Sequence, residues 1–410
     1  MKTVFPIIVI LMVSLKSYAT DTTRVLFIGN SITYFNDMPQ TFEDIANSLG
    51  DTTEMTMYAP GGTGFVNHVS DPAVYNYFRM GCWDYIVLQP GSNESPGYSY
   101  PIDTTLLRAR ILVDSIYKYN PCAKILYYEI SYGVWGNTAS DLTTYNNTMD
   151  LIIGNLTYLA DSTETFFAPV GEAFRTAWNN NQNNMLWMAY GDIHPNAKGS
   201  YMAACTFYSS IFQKPSHGTP VLATLAPAAA DSAQLLCDSI VLNHLSDWRI
   251  NQYDQTTDFS WTIQSDTVFF NNLSANNDSL IWYFGDELFS YEQNPVHEYS
   301  YSGTFTVELV TWNHGCEQIH TEVIDVTVSG FNEVKNDFDS AIIYPNPAQS
   351  HLFIKADKPL FCKLFTADGK LILETTETVL NLSDLPDGLY LVTLTDEKSI
   401  NITEKIVLIH

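Results

Sequence analysis

The sequence predicts an α/β domain built on a parallel sheet, followed by two smaller all-β domains. Three observations carry that prediction. From Arg24 to about Ile250, short apolar runs alternate with helical periodicity, the pattern of a parallel sheet with helices on both faces. After about Gln252 the periodicity gives way to short β-rich runs broken by Asn, Gly and Ser, as in a β-sandwich. A second β-rich stretch runs from Ala341 to His410, with Asp368-Gly369 and Asp387-Gly388 as turn signals. The boundaries read from these shifts are 20–250, 255–330 and 338–410, with 331–337 as a linker. A chain of 410 residues is too long for one ordinary core, so this division also suits its length.

In the first domain Val25 to Ile28 is an unbroken apolar run, short enough for a buried parallel strand. Gly29 ends it, and a helix then follows over Met38 to Leu49, with Phe42, Ile45, Ala46 and Leu49 on one face. Asp37 is placed to cap that helix, Pro39 lies in its first turn and Gly50 stops it. Further strands are predicted at Asp84 to Leu88, Lys124 to Ile130 and Thr165 to Ala168. Leu106, Ala109, Val113 and Ile116 mark a helix closed by Asn120-Pro121, and Gly199 to Phe212 reads as another.

Residues 1–19 read as a secretory signal, with Lys2 as the positive start, Pro6 to Leu15 as the apolar stretch and Ser17-Tyr18-Ala19 before the cut. A formal charge of -26 leaves little basic surface to displace counterions, so nucleic acid is excluded as a partner. Export permits disulfides, but spacing alone does not pair the six cysteines. None of them sits at close metal-type spacing, so neither a metal nor another cofactor is expected.

Four stretches could carry chemistry: Gly29-Asn30-Ser31, Gly61-Gly62-Thr63-Gly64, Gly91-Ser92-Asn93 and His194-Pro195. The first three follow β-rich segments and the last opens a helix, so a doubly wound sheet would gather all four at its strand C-termini. Acyl transfer needs such a set: a hydroxyl nucleophile, an imidazole base and donors for the developing oxyanion. Singly, each has an ordinary use. Ser31 could cap a helix, Asn93 could serve a turn, and His68, beyond the glycine loop, could line a pocket or face solvent.

Together the four blocks resemble, in order, those of the SGNH (GDSL-like) hydrolase superfamily, over about residues 24–250. The resemblance implies a flavodoxin-like α/β domain in which Ser31 is the nucleophile and His194 the general base. The backbone N–H groups of Ser31 and of Gly62, with Gly61 as the alternative, and the side-chain amide of Asn93 would form the oxyanion hole. The family usually places an aspartate three residues before the histidine; here that position is Gly191, and Asp192 stands two before. Asp192 completes a triad if the loop bends to suit; otherwise Ser31 and His194 work as a dyad. Gln89 and Glu94 flank the oxyanion loop and are read as supporting residues.

Trp282-Tyr283-Phe284-Gly285-Asp286 and Val296-His297-Glu298-Tyr299 resemble a PKD-type domain, with Gly285-Asp286 as a turn and Tyr299 packed beneath the next strand. Tyr344-Pro345-Asn346-Pro347, Ala367-Asp368-Gly369-Lys370 and Pro386-Asp387-Gly388-Leu389-Tyr390 resemble the C-terminal sorting domain of type IX secretion substrates. That resemblance implies passage through the secretion machinery to the medium or to attachment at the outer-membrane surface. The whole predicts a secreted serine esterase acting on carboxylic esters, foremost acetyl groups on a small molecule or polysaccharide. The competing reading is an inactive surface glycan-binding or adhesion protein on a hydrolase fold.

Overall fold

Apolar runs and helix stops place the elements of the first domain in a computed structural model that describes residues 22–328, 341–356, 361–395 and 401–410. The predicted signal (1–19) and linker (331–337) lie outside the described residues. Contacts divide the chain into one unit up to Val326 and a second from Thr327.

Five parallel strands open the first unit: β1 (Thr23–Ile28), β2 (Thr53–Tyr58), β3 (Tyr85–Leu88), β4 (Lys124–Tyr128) and β5 (Phe166–Ala168). Their order is β2-β1-β3-β4-β5. Leu26 pairs with Thr56 on one side and Ile86 on the other. The chain winds outward from β1 in both directions, so the gap between β1 and β3 is the topological switch point, where such sheets open a crevice. Val25 to Ile28 and Ile86 to Leu88 are buried, as strands covered on both faces must be.

The connections are α1 (Ser31–Tyr34), α2 (Met38–Ser48), α3 (Phe65–His68), α4 (Pro72–Arg79), α5 (Ile102–Tyr119), α6 (Ala139–Thr163), α7 (Val170–Asn180), α8 (Ala197–Phe212) and α9 (Pro227–Leu242). The predicted face of α5, Leu106, Ala109, Val113 and Ile116, is buried. Asp37 stands at the start of α2 but caps nothing with its side chain, because its backbone is left-handed at φ 56°. β3 begins one residue late, and the Asp84 carboxylate receives the Arg24 N–H at 2.7 Å.

A sandwich follows in the same unit. One sheet holds β6 (Phe259–Gln264), β7 (Thr267–Asn272) and β10 (Val296–Glu298). The other holds β8 (Ser279–Tyr283), β9 (Phe289–Ser290), β11 (Gly303–Asn313) and β12 (Cys316–Val326). Between them Trp282 and Tyr299 are buried, and the Tyr299 hydroxyl donates to the Phe284 carbonyl at 2.9 Å.

The α/β domain and this sandwich are joined covalently. Cys122, before β4, and Cys316, at the start of β12, form a disulfide across 194 residues of sequence. Beside it His314 stacks on Tyr117 with ring centroids 4.1 Å apart, and Lys124 meets Asp254 at 2.6 Å. Closing so long a loop constrains the unfolded chain strongly, so Cys122→Ser or reductant should lower stability by about 2–4 kcal/mol. Thermal unfolding with and without reductant measures this; an unmoved transition would show that the bridge constrains nothing.

The second unit packs β13 (Ile342–Tyr344), β14 (His351–Lys355) and β17 (Val379–Asn381) against β15 (Phe361–Thr366), β16 (Leu371–Thr375), β18 (Gly388–Thr395) and β19 (Asn401–Leu408). Leu352, Leu364, Val392, Leu394 and Leu408 form its core.

Candidate active site

Strand β1 delivers Asn30 and Ser31 to the switch point. Asn30, not Ser31, caps the helical turn α1, its Oδ1 accepting from Ile32 N at 2.9 Å. Its Nδ2 donates to the Thr63 carbonyl at 2.7 Å and its backbone N–H donates to Gln89 Oε1 at 3.0 Å. Gln89, wholly buried at the end of β3, also accepts from the Thr33 hydroxyl at 2.7 Å. The turn bearing Ser31 is thereby tied to the loops after β2 and β3, and the Ser31 hydroxyl is left for another partner.

That partner is His194, whose Nε2 lies 2.8 Å from Ser31 Oγ. The histidine loop is pinned on both sides. His194 O accepts from Met188 N at 2.9 Å, and Asn196 caps α8 while its Nδ2 donates to Met185 O at 2.8 Å. Phe35 stacks on the imidazole with centroids 4.3 Å apart. Asn36 Nδ2 donates to the Pro195 carbonyl and to Ser200 Oγ, each at 2.9 Å. Neither Phe35 nor Asn36 is conspicuous in the sequence, since both partners lie about 160 residues away.

Asp192 reaches the histidine through an Asx turn. One oxygen, Oδ1, accepts from the His194 backbone N–H at 2.9 Å and lies 2.6 Å from Nδ1. Two residues of spacing suffice because the side chain curls back over its own turn. The preceding Gly191 has φ +77° and donates its N–H to Val134 O at 2.8 Å. A Cβ there would lie about 3.1 Å from the nearest carbon of the Trp135 ring, and the positive φ would strain any L side chain at 191.

The His194 backbone N–H, and with it the imidazole, holds the Asp192 carboxyl below the usual aspartate range. A depressed folded pKa contributes stability above the ordinary value of about 3.9, lost as pH falls through the lower folded value. The stability gap between wild type and Asp192→Asn should therefore narrow on acidification through that window. Unfolding midpoints measured across it test this, and a constant gap would contradict it.

The remaining predicted donors also converge. Gly62, Asn93, Ser31 and His194 line one cavity of about 320 Å³. The Tyr132 hydroxyl donates to Asn93 Oδ1 at 3.1 Å, which turns the amide Nδ2 outward as a donor. Among the described residues no acceptor engages Ser31 N, Gly62 N or Asn93 Nδ2. His68 does not join them: it is wholly buried behind the glycine loop, and that burial lowers its pKa.

Glu94 has a larger part than its sequence position suggested. It is buried, and its Oε2 accepts from Phe65 N at 2.7 Å and Gly91 N at 2.9 Å. Its Oε1 accepts from Val66 N at 3.0 Å and from Arg108 at 3.0 Å. One carboxylate thus joins the loop bearing Gly62 to the loop bearing Asn93. Gly64 permits it, since a Cβ there would collide with the carboxylate and with the Gly91 backbone. The spacing Gly91-x-x-Glu94 was the available signal, but its partners 29 residues away were not legible.

Residues 342–409 match the family model described as the secretion system C-terminal sorting domain. The second unit is a type IX secretion sorting domain. The sorting domain marks the chain for export to the cell surface or the medium. Among solved structures the chain is similar to a DUF4886 family protein from Bacteroides uniformis, at 19% identity and TM-score 0.47, over 54% of this chain and 95% of that one. It is similar to Axe2, an acetylxylan esterase from Geobacillus stearothermophilus, at 15% identity and TM-score 0.35, over 45% of this chain and 92% of that one. It is also similar to the PKD1 domain of Vibrio anguillarum Epp, at 26% identity and TM-score 0.17, over 18% of this chain and 94% of that one. No curated protein matches.

Proposed function

We propose that the α/β domain is a serine hydrolase that cleaves carboxylic esters through an acyl-enzyme on Ser31. The observation that carries this reading is the continuous hydrogen-bonded line from Asp192 through His194 to Ser31, ending at a cavity with three unspent N–H donors. His194 Nε2 takes the Ser31 proton as Oγ attacks the ester carbonyl. The negative charge that develops on the carbonyl oxygen is met by Ser31 N–H, Gly62 N–H and Asn93 Nδ2. Collapse breaks the ester C–O bond, and the proton on Nε2 passes to the departing alcohol. Water, deprotonated by the same nitrogen, then attacks the acyl carbonyl and restores Ser31, releasing the acid. Asp192 orients the imidazole and stabilises its charged form.

The reading favours a short acyl group. Val66 and Ile193 are the aliphatic side chains of a cavity otherwise lined by polar and glycine residues and Tyr100, which offers no channel for a fatty chain. With an exported chain, acetyl esters on carbohydrate are the substrates that fit best. Acetate release from O-acetylated polysaccharides, with nitrophenyl acetate as a small-ester control, tests this. No turnover of either would favour the inactive binding protein instead.

Glu94 is a positioning residue in this scheme. In Glu94→Gln an amide NH₂ must face one of the donors that the carboxylate now accepts, which pushes the two oxyanion loops apart. Turnover should fall about 10- to 100-fold through kcat rather than KM. Unchanged kcat in a folded variant would show that the loops keep their places without it.

A further inference from the structure

A second cavity, of about 540 Å³, adjoins the first and shares Ser92, Asn93, Ile193 and His194 with it, but reaches the Asp192 side of the imidazole. Its walls differ in kind. Trp135 and Tyr190 line it with 65% and 46% of their surfaces exposed, and Tyr132 stands beside them. Large exposed aromatics at a polar-rimmed cavity mark a place for a ligand. The six-membered ring of Trp135 lies beside Gly191, and Trp135 makes no ring–ring contact among the described residues.

We infer that Trp135 and Tyr190 form the floor of a saccharide subsite that takes the alcohol side of the ester, a neutral pyranose ring of an acetylated polysaccharide. The inference rests on the esterase reading for the direction of the substrate. The departing oxygen must lie within reach of His194 Nε2, while the carbonyl oxygen points to Gly62 and Ser31 N–H. The alcohol therefore extends away from Gly62, toward the adjoining cavity that lacks it.

The occupant follows from the chemistry of the walls. A pyranose has an apolar C–H face that packs on an aromatic ring and a rim of hydroxyls that needs polar partners. Trp135 and Tyr190 supply the faces; Ser92 and the Tyr132 hydroxyl oxygen, which can still accept, supply the rim. A lipid chain would need a continuous apolar wall, which this rim interrupts. An anionic glycan would need basic side chains, and the cavity contains Asp192 but neither Lys nor Arg, on a chain of net charge -26.

The test uses the full chain with partially O-acetylated xylohexaose and cellohexaose, and ethyl acetate as an ester without a ring. In Trp135→Ala the ratio of kcat/KM for the oligosaccharides to that for ethyl acetate should fall at least about tenfold, equivalent to about 1.4 kcal/mol, through a raised KM for the sugars. Trp135→Phe should restore most of it, and Tyr190→Ala should lower it independently. An unchanged ratio in Trp135→Ala overturns the subsite while leaving the esterase standing. Calorimetry with the same oligosaccharides separates the two ideas if no ester is cleaved. Binding that weakens about tenfold in Trp135→Ala keeps the subsite without the esterase, and no binding to wild type removes it.

Discussion

Ser31→Ala is expected to lower kcat for a short-chain nitrophenyl ester by about four to six orders of magnitude, with thermal unfolding shifted by no more than a few degrees. The two halves of that expectation have separate causes. Under the proposed mechanism chemistry is lost because Oγ is the atom that would be acylated, leaving His194 only general-base assistance to water. Stability is kept because the hydroxyl's partner is His194, at 2.8 Å, and the cap of the local helical turn belongs to Asn30. Losing one part-exposed hydrogen bond costs about 1 kcal/mol or less. Steady-state rates beside a melting curve decide the matter, and a folded alanine variant that still turns over substrate would take Ser31 out of its role.

The two substitutions at Asp192 are expected to part company. Asp192→Ala removes the acceptor for the imidazole and for the backbone, and should cost about 10³- to 10⁴-fold in kcat. Asp192→Asn should cost less than that, for a reason particular to this turn. Because one oxygen serves both the His194 backbone N–H and Nδ1, an asparagine must present its carbonyl there. The reversed amide would set a donor against a donor. The imidazole then keeps its Nδ1–H tautomer, and what is lost is the carboxylate's charge. Equal losses in the two variants would show that the turn does not hold the amide, and a negligible loss in both would leave a Ser31–His194 dyad.

Much of the fold was legible because its signals are local. The strand at Val25 to Ile28, the buried face of α5 and the turns at Asp368-Gly369 and Gly285-Asp286 each announce themselves within a few residues. Helix α6 was not read, since Thr, Asn and Asp dominate its first half and are weak helix formers. It is held by a capping box between Thr138 and Asp141 and by burial of Met149, Ile152, Leu156 and Leu159. The capping residues were the signal that could have found it. The reach of Asp192 was equally hidden, because spacing to His194 says nothing of an Asx turn that depends on Gly191 at positive φ.

The sequence by itself determined the order of elements, the blocks that meet at the switch point and the sorting domain, because each is written in contiguous residues. Only the tertiary structure decided that Asn36 ties the Ser31 turn to Pro195 and that Glu94 joins two loops. It also decided that Cys122 bonds Cys316 and that Trp135 lies beside Gly191. These pairings join residues that are far apart in the chain. They arise when the packed sheet brings the loops at its edge together, and no local pattern encodes which loop will meet which.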